Sequence, residues 1–317
     1  MSDASAQFTA ADTEGAFASA VPYIRRKLDI TFSMGTGQFG ESGHNTITLR
    51  GYRAQATITK GALGQQTALN LRIWGMKLSD MQKVLTFGRK YDGTRDNRVI
   101  VEAGDDLAGM TQVFYGNIYD AYFDGTSQPD VALQVTGYEG GLAAIKPAPP
   151  VSIQGTVDVS STMQQLAQRM GAHFEDAGGV RAKLRDIYYP GTVLQQIRRI
   201  ADHSGINFTL ENNVLAIWER NKERAAGQDV PLFTPQNGLK DYPTFNEKGI
   251  IFTCLFRKVL LGGKKIGVQS QLFNGGDTPD KPGDIWYYLT YSYTYTLESE
   301  MPNGPWFSTI MASVNPI

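Results

Sequence analysis

Alternating apolar and polar positions dominate the first half of the chain and predict a sheet of short strands. Residues 28–32 show the pattern clearly, because every second residue is apolar, as in a strand with one buried face. The same period recurs in residues 47–58, 69–73, 98–102, 112–123 and 131–136. A helical spacing of apolar residues over 80–86 interrupts the strands, and Ser79 is the expected cap. We therefore expect about six strands and one helix, arranged as a barrel or a sandwich.

A proline-rich segment divides the chain. Residues 147–150 contain three prolines, and proline fits neither a helix interior nor a central strand, so residues 146–150 are predicted to form a linker. The strands before it define a first β domain over residues 23–145. Residues 1–22 are small and polar with little periodicity, and they are predicted to form a flexible N-terminal arm.

A repeated pattern of helix, glycine and strand follows the prolines. Two amphipathic stretches are each closed by a glycine and lead into a short apolar run. The first is residues 163–171, which ends at Gly171, and the second is residues 194–201, which is closed by Gly205. Ser160 or Ser161 is the expected cap of the first helix, and Thr192 is the expected cap of the second. The second copy continues into a hairpin, so residues 151–220 are predicted to form a small α+β module.

Strand patterns return in residues 221–317 and predict a second β domain. Its strands are expected over residues 250–256, 266–272, 285–297 and 306–312. The third strand is rich in tyrosine, and strict alternation places its odd-numbered tyrosines on one face. Core packing is the favoured interpretation of this face, and a surface that binds sugars or another protein is the alternative. The candidate interface residues are therefore Tyr287, Tyr291, Tyr293 and Tyr295.

Composition and charge exclude several classes of protein. The hydrophobic fraction of 41% is too high for a disordered chain. A formal net charge of −1, with 19% charged residues, provides no basic footprint, so we expect no specific binding of nucleic acid. The chain begins without the basic and apolar pattern of a secretory signal, and no uninterrupted apolar stretch is long enough to span a membrane. We expect a soluble protein that is made in a reducing cytoplasm.

Candidate chemistry in the sequence is weak. Residues 35–40 match G-x-G-x-x-G, but a second strand follows where a dinucleotide site requires a helix, so a loop between antiparallel strands is preferred. Cys254 stands within a strand and is expected to pack in the core. Asp105 and Asp106 are expected in a solvated turn. One cysteine and three histidines leave too few ligands for a metal centre or a disulfide. We predict no catalytic, cofactor-binding or metal-binding residue.

Several segments carry a recognisable order of motifs. A strand, turn and short helix are followed by two strands, the helix–glycine–strand repeat, a glycine-rich loop that enters a strand, and a late Trp-Phe strand. The segments are residues 69–81, 99–104, 112–118, 160–218, 255–266 and 306–309. In this layout the chain resembles the baseplate hub proteins of bacteriophage tails, including the late-control-D type of contractile tails and the hub half of type VI secretion spikes. The resemblance covers most of residues 26–315.

The resemblance implies a structural virion protein rather than an enzyme. The implied fold is mainly β with α+β, with two tail-tube-like β-barrel domains and the small α+β module. The implied assembly is a homotrimer that adapts the six-fold tail tube to the three-fold central spike and forms part of the genome-delivery channel. The implied partners are the tail tube protein, the central spike protein, the tape-measure protein and baseplate wedge or sheath-associated proteins. The implied location is the tail baseplate of a virion assembled in the host bacterial cytoplasm.

Two alternatives from other classes stay open at this point. One is a tail-associated cell-wall hydrolase, whose acidic residues cannot be paired by spacing alone because such partners come from different strands. The other is a carbohydrate-binding β module that uses the tyrosine strand.

Overall fold

The computed structural model describes residues 24–35, 38–39, 43–86, 96–126, 128–224, 230–258, 260–270 and 285–314. The predicted N-terminal arm lies outside these ranges, and so does the end of the strand predicted over residues 266–272. No helix in the described part of the chain is long and apolar enough to cross a membrane.

The first β region has its strands where the alternating pattern predicts them. Its elements are β1 (Arg26–Ser33), β2 (Thr46–Leu49), β3 (Ala54–Lys60), β4 (Ala68–Trp74), α1 (Leu78–Val84), β5 (Arg98–Asp105), β6 (Gly109–Asp124) and β7 (Ala132–Tyr138). All neighbouring strands in this region are antiparallel. The cap of α1 was predicted wrongly, because the helix begins at Leu78 and Ser79 lies inside it. Lys77 occupies the N-cap position and provides no side-chain hydrogen bond.

The middle of the chain forms the predicted α+β module around a hydrophobic core of its own. Its elements are α2 (Gly141–Ile145), β8 (Pro147–Asp158), α3 (Val159–Met170), β9 (His173–Asp176), β10 (Lys183–Thr192), α4 (Val193–Ser204), β11 (Ile206–Glu211) and β12 (Val214–Glu219). Both α3 and α4 end at a glycine in the left-handed conformation, Gly171 and Gly205, as the repeat predicts. Met163 and Ile197, one from each helix, are fully buried in the core of the module.

Residues 146–150 do not form the irregular linker that their prolines predict. From Pro147 onwards they belong to β8, which pairs with β10 in a two-stranded antiparallel sheet. Both strands of such a sheet are edge strands, and an edge strand tolerates the missing N–H of proline. The carbonyl of Pro149 accepts hydrogen bonds from Arg169 of α3 and Gln196 of α4. The prolines therefore belong to the module and bind its helices.

The two long helices are capped differently from each other. The side chain of Asp158, not of Ser160 or Ser161, caps α3, because the helix begins earlier than its apolar pattern indicates. The Asp158 carboxylate accepts a hydrogen bond of 3.0 Å from the Ser161 N–H. The predicted cap of α4 is confirmed, because Thr192 and Gln195 form a reciprocal capping box.

The third region contributes the remaining strands. They are β13 (Leu232–Phe233), β14 (Thr244–Asn246), β15 (Gly249–Leu255), β16 (Lys265–Val268), β17 (Trp286–Ser299) and β18 (Trp306–Ser313), with a 3₁₀ turn at Pro235–Asn237. Along one side β17 pairs with β18, and its other side is shared between β16 at residues 286–289 and β3 at residues 293–299. The pairing of β17 with β3 therefore connects this region to the first.

The result is one 13-stranded sheet rather than two separate barrels. Its main path runs β14-β15-β18-β17-β3-β4-β7-β6-β5-β1-β2, and within the described residues this path stays open at both ends. One hydrophobic core spans it, with Ile58 and Leu71 from the first region beside Tyr295 and Ile310 from the third. The fold is thus mainly β with a small α+β module, as predicted, but neither β region is a closed barrel. The predicted domain boundaries stay predictions.

We expect Asp158→Ala to lower the free energy of unfolding by about 1 kcal/mol, because the cap of α3 loses its hydrogen bond. Ser161→Ala keeps the Asp158 carboxylate and is expected to cost less than half as much. Urea unfolding of the full-length variants measures both values. An equal loss for the two variants would contradict the assignment of Asp158 as the cap.

Candidate assembly surfaces

One face of the large sheet is lined by uncharged polar side chains. Thr294 of β17 lies opposite Thr59 of β3. On its other side Thr294 lies opposite Thr309 of β18, and Thr309 lies opposite Thr253 of β15. The residues that alternate with these threonines, such as Ile58, are buried in the core, so the threonines point to the opposite face. Four strands thereby share one transverse row of threonine.

A second row continues this face into the first β region. Thr296 of β17 lies opposite Thr57 of β3, and Thr57 lies opposite Asn70 of β4. Asn70 in turn lies opposite Thr136 of β7. We call the two rows together the threonine face; it consists of Thr253, Thr309, Thr294, Thr59, Thr296, Thr57, Asn70 and Thr136. These side chains are half-buried or exposed, and none of them can ionise.

Two arginines beside the threonine face are paired with carboxylates. The Arg53 Nη2 atom lies 3.4 Å from Glu298 Oε1, and the Arg72 Nη2 atom lies 2.8 Å from Asp124 Oδ2. The guanidinium carbons of Arg53 and Arg72 lie 4.3 Å and 5.0 Å from the centre of the Trp74 ring. Because each of these cations faces a carboxylate as well as the ring, the two arginines add little net positive charge to the face. A carboxylate also lies next to the face, because Asp120 of β6 is opposite Thr136 and accepts a hydrogen bond from the Thr86 hydroxyl.

The two ends of the main sheet path are open strand edges. β14 pairs with β15 on one side and β2 pairs with β1 on one side, and the described residues provide no second neighbour for either strand. Phe245 of β14 is 64% exposed, and Tyr242 just before it is 60% exposed. Exposed aromatic residues beside an open edge are typical of a strand that is covered in an assembly.

The four candidate tyrosines do not lie on one face. The register of β17 against β18 shifts around Tyr291, which reverses the alternation at that point. Tyr287 is consequently 53% exposed, whereas Tyr293 and Tyr295 are almost completely buried. Tyr291 is also buried. Strict alternation fails here because one bulge moves every residue on one side of it to the other face.

The two innermost tyrosines bind the backbone of a neighbouring loop. The Tyr293 hydroxyl donates to the Leu260 carbonyl at 3.0 Å, and the Tyr295 hydroxyl donates to the Arg257 carbonyl at 3.2 Å. Burial raises the pKa of both phenols, so they remain neutral donors. These side chains therefore stabilise the core and the loop before β16.

The residues considered for chemistry lie apart from one another. Cys254 is fully buried in β15, as predicted, and burial raises the pKa of its thiol to about 12. His203 at the end of α4 has its Nδ1 atom 2.6 Å from the Tyr189 hydroxyl oxygen. His173 is exposed at the start of β9. Among the described residues, no group of histidine, cysteine and acidic side chains could hold a metal ion.

The acidic pair and the glycine motif are in connections between strands. The Asp105 carboxylate accepts hydrogen bonds from the Leu107 and Ala108 N–H groups, which confirms the predicted turn. The glycine motif over residues 35–40 connects β1 to β2, and these strands are antiparallel, as the loop interpretation predicts. Part of this motif lies outside the described residues.

A buried ion pair lies where β3 and β7 meet the α+β module. Lys60 and Glu139 are each 1% exposed, and the Lys60 Nζ atom lies 2.7 Å from Glu139 Oε1. Asn212 completes the contact, because its N–H donates to Glu139 Oε2 and its side-chain oxygen accepts from Lys60. Burial raises the pKa of Glu139 above its ordinary value of 4.5, and the charge of Lys60 opposes this shift.

A second buried group connects the same module to the third region. Arg224 is 2% exposed and bridges Glu211 of β11 at 3.1 Å and Glu175 of β9 at 2.9 Å. Glu211 also accepts a hydrogen bond of 3.2 Å from the Gly262 N–H, just before β16. The two groups lie close together, since the charge of Glu211 also acts on Glu139. We call them together the junction cluster.

Sequence reasoning missed the junction cluster, although one signal for it exists. Lys60 follows Ala54, Ala56 and Ile58 at a period of two, which is the inward face of β3. A lysine at an inward position requires a buried partner, because an unpaired charge is costly in the core. The partner could not be found from the sequence, since Glu139 lies 79 residues away.

Comparison with known families shows to which family the chain belongs. Residues 27–303 match the family model described as "Baseplate hub gp41". The chain belongs to the baseplate hub gp41 family. This match confirms the family resemblance drawn from the order of motifs, and members of this family have a structural role in a phage tail.

Several solved structures share the fold of this chain. The tail protein from Neisseria meningitidis MC58 has a TM-score of 0.58 at 12% identity, with 90% of this chain and 96% of that chain covered. The 43 kDa tail protein of prophage MuSo2 from Shewanella oneidensis has a TM-score of 0.56 at 12% identity, with 91% and 97% covered. The c3393 protein of E. coli, a component of the type VI secretion system, has a TM-score of 0.56 at 11% identity, with 89% and 76% covered. No curated protein sequence matches this hub chain.

The raised pKa of Glu139 predicts how the stability of this hub protein depends on pH. Because the pKa of Glu139 is higher in the folded state than its unfolded value of 4.5, the folded state favours the protonated carboxyl. The stability that protonated Glu139 provides is therefore fully present below pH 4.5 and is lost as the pH rises through the folded pKa. We therefore compare the free energy of unfolding of the wild type with that of Glu139→Gln. The wild-type value minus the variant value should fall as the pH rises from 4.5.

Urea unfolding at several pH values measures this difference. Glu247→Gln, which changes an exposed carboxylate, is the matched control for the loss of a carboxyl group as such. A difference that rises with pH for Glu139→Gln would contradict the prediction, because it would mean that attraction to Lys60 outweighs the cost of burial.

Proposed function

We propose that three copies of this chain form the baseplate hub that adapts the six-fold tail tube to the three-fold central spike. The proposal depends chiefly on one observation, the continuous threonine face that crosses both β regions. A six-fold partner can be matched by three copies only if each copy presents two comparable units. We take the two β regions, which are joined through β17 and β3 in one sheet, as these units.

The open ends of the sheet support a ring of copies. β14 and β2 lie at opposite ends of the main path, so an end of one copy can lie beside the opposite end of the next. Such a head-to-tail contact closes into a ring when the rotation between copies is right. The exposed aromatic residues Tyr242 and Phe245 near β14 would be covered in this arrangement. We assign the exposed Tyr287 of β17 to the same kind of contact with a neighbouring protein.

The threonine face would then line the genome-delivery channel. A wall over which DNA moves must not bind phosphate, and binding to DNA depends on Lys and Arg. Hydroxyl and amide side chains keep the wall hydrated without adding charge. The pairing of Arg53 with Glu298 and of Arg72 with Asp124 also limits free positive charge beside it.

The remaining partners follow from this position. A hub between tube and spike contacts the tail tube protein, the central spike protein and the tape-measure protein, and on its outer side the baseplate wedge or sheath-associated proteins. The protein would be assembled in the host bacterial cytoplasm and retained in the virion tail. We infer that it acts by its shape and has no catalytic activity.

Cryo-electron microscopy of intact tails tests the proposed position. We expect three copies in one ring between the tail tube and the spike, with the threonine face toward the axis. A different number of copies, or a position away from the axis, would overturn the proposal.

Charge added to the threonine face should slow the passage of DNA. Particles that carry Thr57→Lys and Thr309→Lys are expected to assemble normally but to eject DNA more slowly, because each copy adds cations to the channel wall. Gln164→Lys and Gln165→Lys add the same charge to exposed positions of α3 and form the matched control. Ejection from purified particles, followed by the fluorescence of a DNA-binding dye, measures the rate. Equal rates in the two sets of particles would refute the channel assignment.

A further inference from the structure

A groove of about 630 Å³ lies between the first β region and the α+β module. One wall comes from β5, β6 and α2, and the other comes from the start of β8 and the end of α3. The groove lies beside the buried pair of Lys60 and Glu139, since Glu139 forms part of its floor. Neither the proposed channel nor the open sheet ends make use of it.

The lining of the groove is apolar with a positive rim. Apolar side chains such as Leu142, Met170 and Leu210 form its walls. Its cations are Arg98, Lys146 and Arg169, and its one lining carboxylate, Glu139, already binds Lys60. Arg98 is paired with Asp96 at 2.6 Å, which leaves Lys146 and Arg169 as the cations for an occupant. Lys146 and Arg169 are both exposed, and Arg169 donates a hydrogen bond to the uncharged carbonyl of Pro149. An occupant of matching chemistry therefore carries apolar side chains together with negative charge.

The N-terminal arm, residues 1–22, has this chemistry. It contains the acidic residues Asp3, Asp12 and Glu14 and no lysine, arginine or histidine. It also contains Phe8 and Phe17, which provide aromatic anchors among small residues. Residues 1–22 are acidic and aromatic, and the groove is basic and apolar.

The arm is long enough to reach the groove of its own chain. The arm joins the fold just before β1, at the end of that strand where Arg26 lies opposite Asp105. The groove begins at Arg98, which lies opposite Ser33 at the other end of β1. The distance between these ends is about 23 Å, at roughly 3.3 Å for each residue of a strand. Twenty-two residues can extend over about 70 Å, so more than half of the arm remains to fill the groove. Attachment to the same chain also gives the arm a high effective concentration at this site.

We propose that the N-terminal arm docks in this groove of its own chain. Its acidic residues bind Lys146 and Arg169, and its phenylalanines contact the apolar walls. The arm thereby covers the seam between the first β region and the α+β module. This inference does not depend on the proposed ring, because it concerns a single chain.

Exchange of charges between arm and groove tests the docking in the full-length protein. In Lys146→Glu with Arg169→Glu, chymotrypsin should cut after Phe8 and Phe17 at least about fivefold faster than in the wild type, because the arm is released. Adding Asp12→Lys and Glu14→Lys to this variant should restore slow cleavage. Lys183→Glu with Arg185→Glu, on exposed positions of β10, is the matched control and should leave the rate unchanged. Fast cleavage in the wild type, or failure of the exchange to restore protection, would overturn the proposal.

A disulfide experiment identifies which chain provides the arm. Phe17→Cys combined with Ala143→Cys, a lining position, should form an intrachain disulfide under mild oxidation, seen as a faster band on a non-reducing gel. The native Cys254 is fully buried and does not compete. A covalent dimer from a mixture of the two single-cysteine proteins would show that the arm belongs to another copy, and it would refute docking within one chain.

Discussion

The pairing of β3 with β17 is the contact on which the rest of the structure depends. It joins strands that are more than 230 residues apart in the chain, as shown by the hydrogen bond from the Ser292 hydroxyl to the Lys60 carbonyl. Because the register places Ile58 opposite Tyr295, the apolar faces of both β regions are on the same side and share one core. The same register places Thr59 opposite Thr294, so the polar faces are continuous too. A slip of one residue would exchange the two faces over half of the sheet.

The junction cluster connects the α+β module to both β regions of this sheet. A buried ion pair adds little net stability, because desolvation offsets much of the attraction, but breaking one is costly. Lys60 and Arg224 therefore favour one arrangement of the module over others. Gly263 has a related role: its φ is +78°, and a Cβ atom there would lie 2.3 Å from the Trp218 ring. The backbone conformation at Gly263 and the buried charges of the junction cluster thus act at the same boundary between the module and the sheet.

The sequence predicted local structure well and long-range structure poorly. The strand positions of the first β region and the cap at Thr192 follow from patterns within a few residues, and these were confirmed. The strands β8 and β10 of the module were not predicted. The two predicted barrels failed because the pairing of β3 with β17 leaves no mark on the local pattern. Core packing was predicted correctly for Tyr291, Tyr293 and Tyr295 but wrongly for Tyr287, because a bulge at Tyr291 reverses the alternation. The prolines misled because an edge strand accepts them where a central strand does not.

The candidate surfaces show the same limit. Each threonine could be assigned to the outer face of its own strand from alternation alone, but a row such as Thr294 beside Thr59 exists only once the strands are paired. The composition shows that the chain has few charged residues, but it does not show which surface of the protein is uncharged. In the folded chain uncharged threonine and asparagine side chains form two continuous rows across the sheet, while Lys60, Glu139, Arg224 and Glu211 meet at the junction cluster. A face made neutral by threonine, in a sheet whose register is fixed by its core, keeps that neutrality as long as the core is intact. The property proposed for the channel wall is therefore secured by the packing on the opposite side of the same strands.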